Sequence, residues 1–179
     1  MMTRRPWAVA AIATVALLAG ACAGTTGSGS SPAGSGTNTG GGPRGNAGLK
    51  VDCGSVPASV VNAALGIPVG EPNQTVNSVV TLCQYASTSG SETVLVRFQT
   101  NEDAAGFARA KAGFTDSGQP TTDIAGFFDQ AFSSSLGSGG DLAVNTVVAR
   151  KGSVEILVTS PAPVDKEKEL ITKIFAAIG

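Results

Sequence analysis

The sequence predicts an α+β domain over residues 49–179, built from a single antiparallel sheet of about five strands with helices packed on one face. Three kinds of pattern predict it. Apolar residues recur at helical spacing behind capping residues, β-rich runs occur between them, and short turns rich in Gly and Ser join the runs. The element order α-β-β-α-β-β-β-α, in which hairpin connections dominate, favours antiparallel pairing over a doubly wound sheet.

The first elements are a helix and a hairpin. Ser55 is a favoured N-cap residue, and apolar residues at helical spacing end at Leu65 before Gly66, which predicts a helix over residues 55–65. Two β-rich runs follow at residues 76–86 and 92–100. The short polar turn between them predicts an antiparallel hairpin.

The second of these runs alternates between apolar and polar side chains. One side carries Val94, Val96 and Phe98, and the other carries Thr93, Arg97 and Gln99, with Leu95 as an apolar exception. An alternation of period two predicts a strand with one buried face.

A second helix is predicted next, with Thr100 or Asn101 as its cap. Glu102 and Asp103 fall in its first turn, where carboxylates complement the positive end of the helix dipole. Its apolar face consists of Ala104, Phe107, Ala108 and Phe114. A polar loop over residues 115–123 follows.

Three strands and a last helix complete the domain. The strands are predicted at residues 126–134, 142–150 and 153–160, with Lys151-Gly152 as the tight turn between the last two. The last helix is expected to begin at Asp165. Its apolar face consists of Leu170, Ile171, Ile174, Phe175 and Ile178.

The N-terminal segment has the features of a bacterial export signal with a lipobox. Arg4 and Arg5 precede an apolar run over residues 7–18, which is short for a membrane-spanning helix. Small residues at positions 19–21 then stand directly before Cys22. This arrangement predicts cleavage before Cys22 and attachment of diacylglycerol to its thiol.

The chain ahead of the domain therefore divides into a signal peptide, residues 1–21, and a lipidated linker, residues 22–48. The linker is rich in Gly, Ser and Thr and lacks large apolar runs, so we expect it to be disordered. The predicted location is extracytoplasmic, at the cell membrane. The alternative is an ordinary secretory signal cut after Ala21 or Ala23.

Cys53 and Cys83 remain after Cys22 is assigned to the lipid. In an exported chain, two such cysteines predict a structural disulfide, which would close a loop of about 31 residues. A redox site would be expected to show a Cys-x-x-Cys motif, and the spacing here is different.

Composition limits the chemistry that the domain is expected to perform. From residue 49 onward there are nine Lys and Arg against thirteen Asp and Glu, and no basic stripe, so we expect no nucleic-acid binding. The chain contains no histidine, which removes the commonest general base and metal ligand. We expect no metal and no cofactor.

A ligand site is a possibility in the segment that holds Phe127, Phe128, Asp129 and Phe132. These phenylalanines can fill the core, or they can line an apolar pocket between the sheet and a helix, with Asp129 at its rim. The serines at positions 133–135 lack a histidine partner, so the sequence assigns no catalytic residue.

The chain resembles small actinobacterial, mycobacterial-type cell-envelope lipoproteins of uncharacterised function. The resemblance rests on four segments: Cys53-Gly-Ser-Val-Pro57, Asn62-Ala-Ala-Leu-Gly66, Leu82-Cys-Gln-Tyr85, and the Gly126–Phe132 block leading to Val148–Val158. The element order is also similar to Mog1/PsbP-like lipoproteins and to the sensor domain of mycobacterial receptor kinases. The resemblance implies an α+β fold and an envelope location, and it implies no catalytic residues.

These observations predict a lipid-anchored, non-enzymatic binding or accessory module of the bacterial cell envelope. Its partner would be an envelope protein, glycan or lipid, recognised through an open sheet face or through the rim at residues 126–132 and 141–144. The alternative is a carrier of a lipid or glycolipid in an apolar cleft. A hydrolase or transferase built on carboxylates alone is a third and less favoured class.

Overall fold

The antiparallel sheet expected from the hairpin signals is present, and over the residues that the structure describes it has seven strands in the order β1-β2-β3-β7-β6-β5-β4. The computed structural model describes residues 51–137 and 143–179. The predicted signal peptide, the linker with Cys22, and residues 141–142 of the predicted rim lie outside the described residues. Every strand pair is antiparallel.

The described part of the chain contains a short 3-10 helix, three α-helices and the seven strands of the sheet. The helices are the 3-10 helix Cys53–Ser55, α1 (Ala58–Leu65), α2 (Ala104–Asp116) and α3 (Val164–Ile178). The strands are β1 (Asn73–Asn77), β2 (Val80–Ala86), β3 (Thr93–Thr100), β4 (Thr121–Asp123), β5 (Gln130–Leu136), β6 (Val144–Lys151) and β7 (Val154–Ser160).

The prediction of about five strands was wrong, because the sheet has two further strands, β1 and β4, one at each edge. The run predicted as one strand over residues 76–86 turns back at Ser78, whose φ of 53° is left-handed, and so becomes the β1–β2 hairpin. β4 lies in the segment predicted as a polar loop and pairs with β5. Neither added strand has a periodic apolar pattern, because neither buries a full face.

The starts of the helices also differ from prediction. Ser55 ends the 3-10 helix, whose cap is Asp52, and α1 begins after Pro57. The side chain of Asp103, and not Thr100 or Asn101, caps α2 by accepting a hydrogen bond from Gly106 N at 2.7 Å. That bond lowers the pKa of the Asp103 carboxyl.

The two faces of the sheet carry different layers, which corrects the prediction that all helices pack on one face. We call the face with Val96, Phe98 and Ile156 the inner face; α1 and α3 pack on it, and its side chains form the larger core. The opposite, outer face carries Val148, Leu157 and Phe132, which cluster with Phe107 of α2. The alternation along β3 placed Val94, Val96 and Phe98 on the buried side, and this was confirmed because all three are fully buried.

The predicted disulfide and the last hairpin turn were confirmed. Cys53 and Cys83 are bonded, with their Cα atoms 5.6 Å apart, and the bond ties the 3-10 helix to β2 on the inner face. Gly152 has a φ of 61° in the turn between β6 and β7, where a residue without a Cβ is favoured.

Candidate functional site

The predicted ligand residues lie on two sides of the sheet. Phe127 and Phe128 belong to a turn before β5, and Phe128 packs against Phe175 of α3 with ring centroids 4.5 Å apart and ring planes tilted by 53°. Phe132 is fully buried under α2 on the outer face, where its ring lies 5.5 Å from that of Phe107. These three phenylalanines therefore do not line one pocket.

The segment predicted as the start of a strand is a turn with two left-handed residues, Gly126 and Phe128, which have φ values of 72° and 56°. Asp129 fixes this turn to the β6–β7 hairpin, because its carboxylate accepts a hydrogen bond from Gly152 N at 2.7 Å and lies 3.6 Å from Arg150. Asp129 thus has a structural role in holding the turn and the hairpin together.

A cleft of about 350 Å³ runs between this turn and α2. Phe127, Phe128 and Asp129 contribute to its lining, together with Phe107 and Lys111 of α2. The nitrogen of Lys111 is bound by Asp123 of β4 at 2.5 Å. The charge at this rim is therefore already paired within the protein.

The outer face has a part that α2 leaves accessible. We call it the open patch and define it by side chains that point outward from β2, β3 and β7 and are half-buried or exposed: Leu82, Gln84, Thr93, Leu95, Arg97 and Thr159. Strand pairing places Leu82 beside Arg97, and Leu95 beside both Gln84 and Thr159. The patch is therefore a continuous surface of aliphatic and uncharged polar groups around one arginine.

Two grooves adjoin the open patch. One, of about 260 Å³, separates Arg97 from the C-terminal half of α2, and its lining includes Phe114 of that helix and Gln119, which follows it. The other, of about 440 Å³, lies between the start of β3 and the start of β6, and Thr93, Val144 and Thr159 contribute to its lining. Leu95 stands between Thr93 and Arg97 on β3, so the patch connects the two grooves.

The charge of Arg97 is compensated by a buried carboxylate on the neighbouring strand. Its guanidinium donates to Glu155 of β7 at 2.5 Å, and that carboxylate is only 1% exposed. Burial raises the pKa of Glu155, the positive charge of Arg97 opposes the rise, and Glu102 adds to it. Arg97 therefore neutralises a buried carboxylate, and its guanidinium is not a free receptor for an anion.

Glu102 was predicted to complement the dipole of α2, and the structure corrects that interpretation. It precedes the helix, is only 8% exposed, and accepts a hydrogen bond from the amide of Gln99. Gln99 pairs with Glu155 across β3 and β7. Arg97, Gln99, Glu102 and Glu155 thus form a polar cluster at the margin of the open patch.

One apolar residue in the sequence of β3 indicates the open patch. Leu95 broke the alternation of β3 as an apolar side chain on the polar side. Leu82, its diagonal neighbour, gave no such signal, because the outer face of β2 can be recognised only once the register with β3 is known.

Comparisons with family models, with curated proteins and with solved structures found no match. Within residues 51–137 and 143–179, no group of three Cys, Asp or Glu side chains is placed to hold a metal ion. None of the helices described for these residues has both the length and the apolar character needed to span a bilayer.

Proposed function

We propose that this protein is a lipid-anchored, non-enzymatic binding module of the bacterial cell envelope, and that it recognises a protein partner through the open patch. The observation that carries the proposal is the pair Leu82 and Leu95, which are partly exposed on the outer face of the sheet between two grooves. Partly exposed aliphatic groups surrounded by uncharged polar ones are typical of the centre of a protein interface.

The make-up of the patch supports a protein partner over a glycan. No aromatic ring belongs to the open patch, and stacking on aromatic rings is a usual way to hold a sugar face. An extended segment of a protein partner could instead form hydrogen bonds with the exposed side chains of Gln84 and Thr93.

The carrier alternative has weaker support from the geometry. The cleft with the most apolar lining, between Val154 of β7 and the end of α3, measures about 230 Å³. The larger clefts of about 350 and 440 Å³ have acidic side chains in their lining. Pockets that bury small ligands usually measure about 300–1,000 Å³. The space between the inner face and the helices is filled by side chains of the larger core.

The anchor has its own test. Intact mass of the membrane-borne protein should show an acylated cysteine at position 22, and Cys22→Ala should release the protein or leave it unprocessed. A mature chain that begins at residue 23 would contradict the anchor and leave the binding proposal to be judged separately.

The binding surface is tested by site-specific photo-crosslinking of the full chain in the cells that produce it. A benzophenone amino acid at Gln84 should give a discrete adduct with one envelope protein, and Leu95→Lys should abolish that adduct. The control carries the same probe at Lys173, an exposed residue of α3. Val79→Lys is the matched charge control, because Val79 is an exposed aliphatic residue in the β1–β2 turn.

Two outcomes would overturn the proposal. Equal adducts from the probes at Gln84 and Lys173 would show that the patch has no selectivity. Turnover of an ester, phosphate or glycoside by the pure protein, lost in a folded Asp129→Asn variant, would show an enzyme.

A further inference from the structure

The two edges of the sheet differ in how they are protected against pairing with another strand. The β4 edge has only three residues, Thr121–Asp123, and follows Pro120. Its Asp123 carboxylate is held by Lys111 of α2. Short length, a proline and charged side chains are the usual means of blocking an edge.

The β1 edge also follows a proline, Pro72, but it is two residues longer than β4 and has no charged side chain. All five residues of Asn73–Asn77 are exposed, and Val76 is 59% exposed. No Asp, Glu, Lys or Arg occurs between residues 72 and 91, so both β1 and its neighbour β2 are uncharged. Within the described ranges, β1 pairs only with β2, and its other side presents unpaired main-chain groups.

We propose that β1 is a dimerisation strand, which pairs antiparallel with β1 of a second copy of this chain around Thr75. This register places Thr75 opposite Thr75 of the second copy, Asn73 opposite Asn77, and Gln74 opposite Val76. In this register the Asn amides meet each other, the Thr hydroxyls meet each other, Gln74 meets Val76, and no like charges meet.

The difference between the edges determines the size of the assembly. A protein with two open edges can add copies without limit and form a filament. Here β4 is blocked, so pairing through β1 uses the open edge of each copy and closes at two. The product is one continuous antiparallel sheet, with seven strands from each copy.

The pairing also affects the open patch. Residues that face each other across an antiparallel ladder lie on the same face, so the outer faces of both copies are on one side of the joined sheet. Thr75 pairs with Leu82 within one copy and therefore lies on the outer face. Two open patches thus become one surface across the two-fold axis. This consequence rests on the proposed function, whereas the pairing itself does not.

A five-residue strand makes a small interface, below the roughly 1,200 Å² of a stable complex, so the free dimer is expected to be weak. Confinement of both copies to one membrane raises their effective concentration. The test therefore uses the full chain in its membrane.

The experiment introduces cysteines into β1 and oxidises the membranes under mild conditions. Thr75→Cys should give a reducible dimer, because the two Cα atoms would lie within bridging distance. Asn73→Cys alone and Asn77→Cys alone should not, since four residues of offset separate like positions by about 14 Å along the strands. A mixture of these two variants should give the dimer again. Thr75 lies on the opposite face of the sheet from Cys83, so the introduced thiol is not placed to exchange with the native disulfide.

The controls are the wild-type chain, which reports any background from Cys22, and Thr122→Cys on the blocked β4 edge. Adding Val76→Lys to Thr75→Cys should lower the dimer yield about fivefold or more, because it brings like charges to the edge. Thr122→Lys should leave the yield unchanged. A Thr75→Cys yield no higher than that of Thr122→Cys would overturn the dimer. The adduct of the Gln84 probe would be unaffected by that failure, so the two proposals can fail independently.

Discussion

The inner and outer faces of the sheet are made by the same strands and differ in how completely they are covered. On the inner face, α1, α3 and the Cys53–Cys83 disulfide leave the central side chains fully buried. On the outer face, Phe107 is the buried residue of α2, and beside that helix the open patch remains accessible. The difference indicates that the inner face stabilises the fold and that the outer face can accept a partner.

The strongest test of this comparison uses two residues of one strand. Phe98 is fully buried on the inner face, so we expect Phe98→Ala to lower the free energy of unfolding by about 3–5 kcal/mol. Leu95, three residues earlier on the outer face, is half-buried, and Leu95→Ala should cost about 1 kcal/mol or less. Urea denaturation monitored by circular dichroism measures both. Equal losses would contradict the division between the faces.

The disulfide should contribute almost as much as the Phe98 ring. It joins residues separated by 30 positions, and closing a loop of that length in the unfolded chain corresponds to about 3–4 kcal/mol. We expect the double variant Cys53→Ala, Cys83→Ala to lose that amount in the same denaturation assay. A reduced but unmutated protein is the matched control and should show a similar loss. No change in either sample would show that the bond does not stabilise the inner face.

The third effect depends on pH and concerns Glu167, a fully buried residue of α3. Its carboxyl accepts a hydrogen bond from Ser160 at 2.7 Å, and burial raises its pKa from 4.5 to about 8. Between those two values the folded state binds more protons than the unfolded state, so the contribution of Glu167 to stability falls as pH rises. The slope is at most about 1.4 kcal/mol per pH unit.

The measurement compares the wild type with Glu167→Gln, which keeps the shape and an acceptor for Ser160. The variant should match the wild type near pH 5 and exceed its stability by up to about 3 kcal/mol at pH 7. Glu169→Gln is the control of opposite sign, because Lys166 lowers the pKa of Glu169 and its contribution to stability is lost as pH falls. A wild-type-like pH profile in Glu167→Gln would contradict the assignment.

The elements that could be predicted well from the sequence are those that follow from a local pattern of residues. The alternation of β3, the apolar stripe of α3 and Gly152 in its turn each follow from local periodicity or backbone preference. The pairing of Cys53 with Cys83 followed from the cysteine count and the predicted export.

The features that could not be predicted from the sequence depend on how the helices and strands pack against one another. The apolar stripe of α2 fits either face of the sheet, so only the assembled structure places Phe107 on the outer face. Phe127 and Phe132 are five residues apart, yet the left-handed turn at Phe128 and the pleat of β5 direct them to different layers. The open patch joins the predicted β2–β3 hairpin to β7, and the pairing of β3 with β7, which brings Thr159 beside Leu95, is distant in sequence.

The smallest expected effect compares two buried serines, one from each face. Ser160 on the inner face donates to Glu167 and accepts from Ala162 N, whereas Ser134 on the outer face is 3% exposed and its hydroxyl has no hydrogen-bond partner among the described residues. Removing a bonded hydroxyl leaves its partners unsatisfied, so Ser160→Ala should cost about 1–2 kcal/mol. Removing an unsatisfied one avoids a desolvation cost, so Ser134→Ala should be neutral or stabilise the protein by up to about 1 kcal/mol. Thermal unfolding of the two variants beside the wild type measures the difference. A loss in Ser134→Ala equal to that in Ser160→Ala would show that the Ser134 hydroxyl is hydrogen-bonded in the folded protein, and it would remove this difference between the two buried serines.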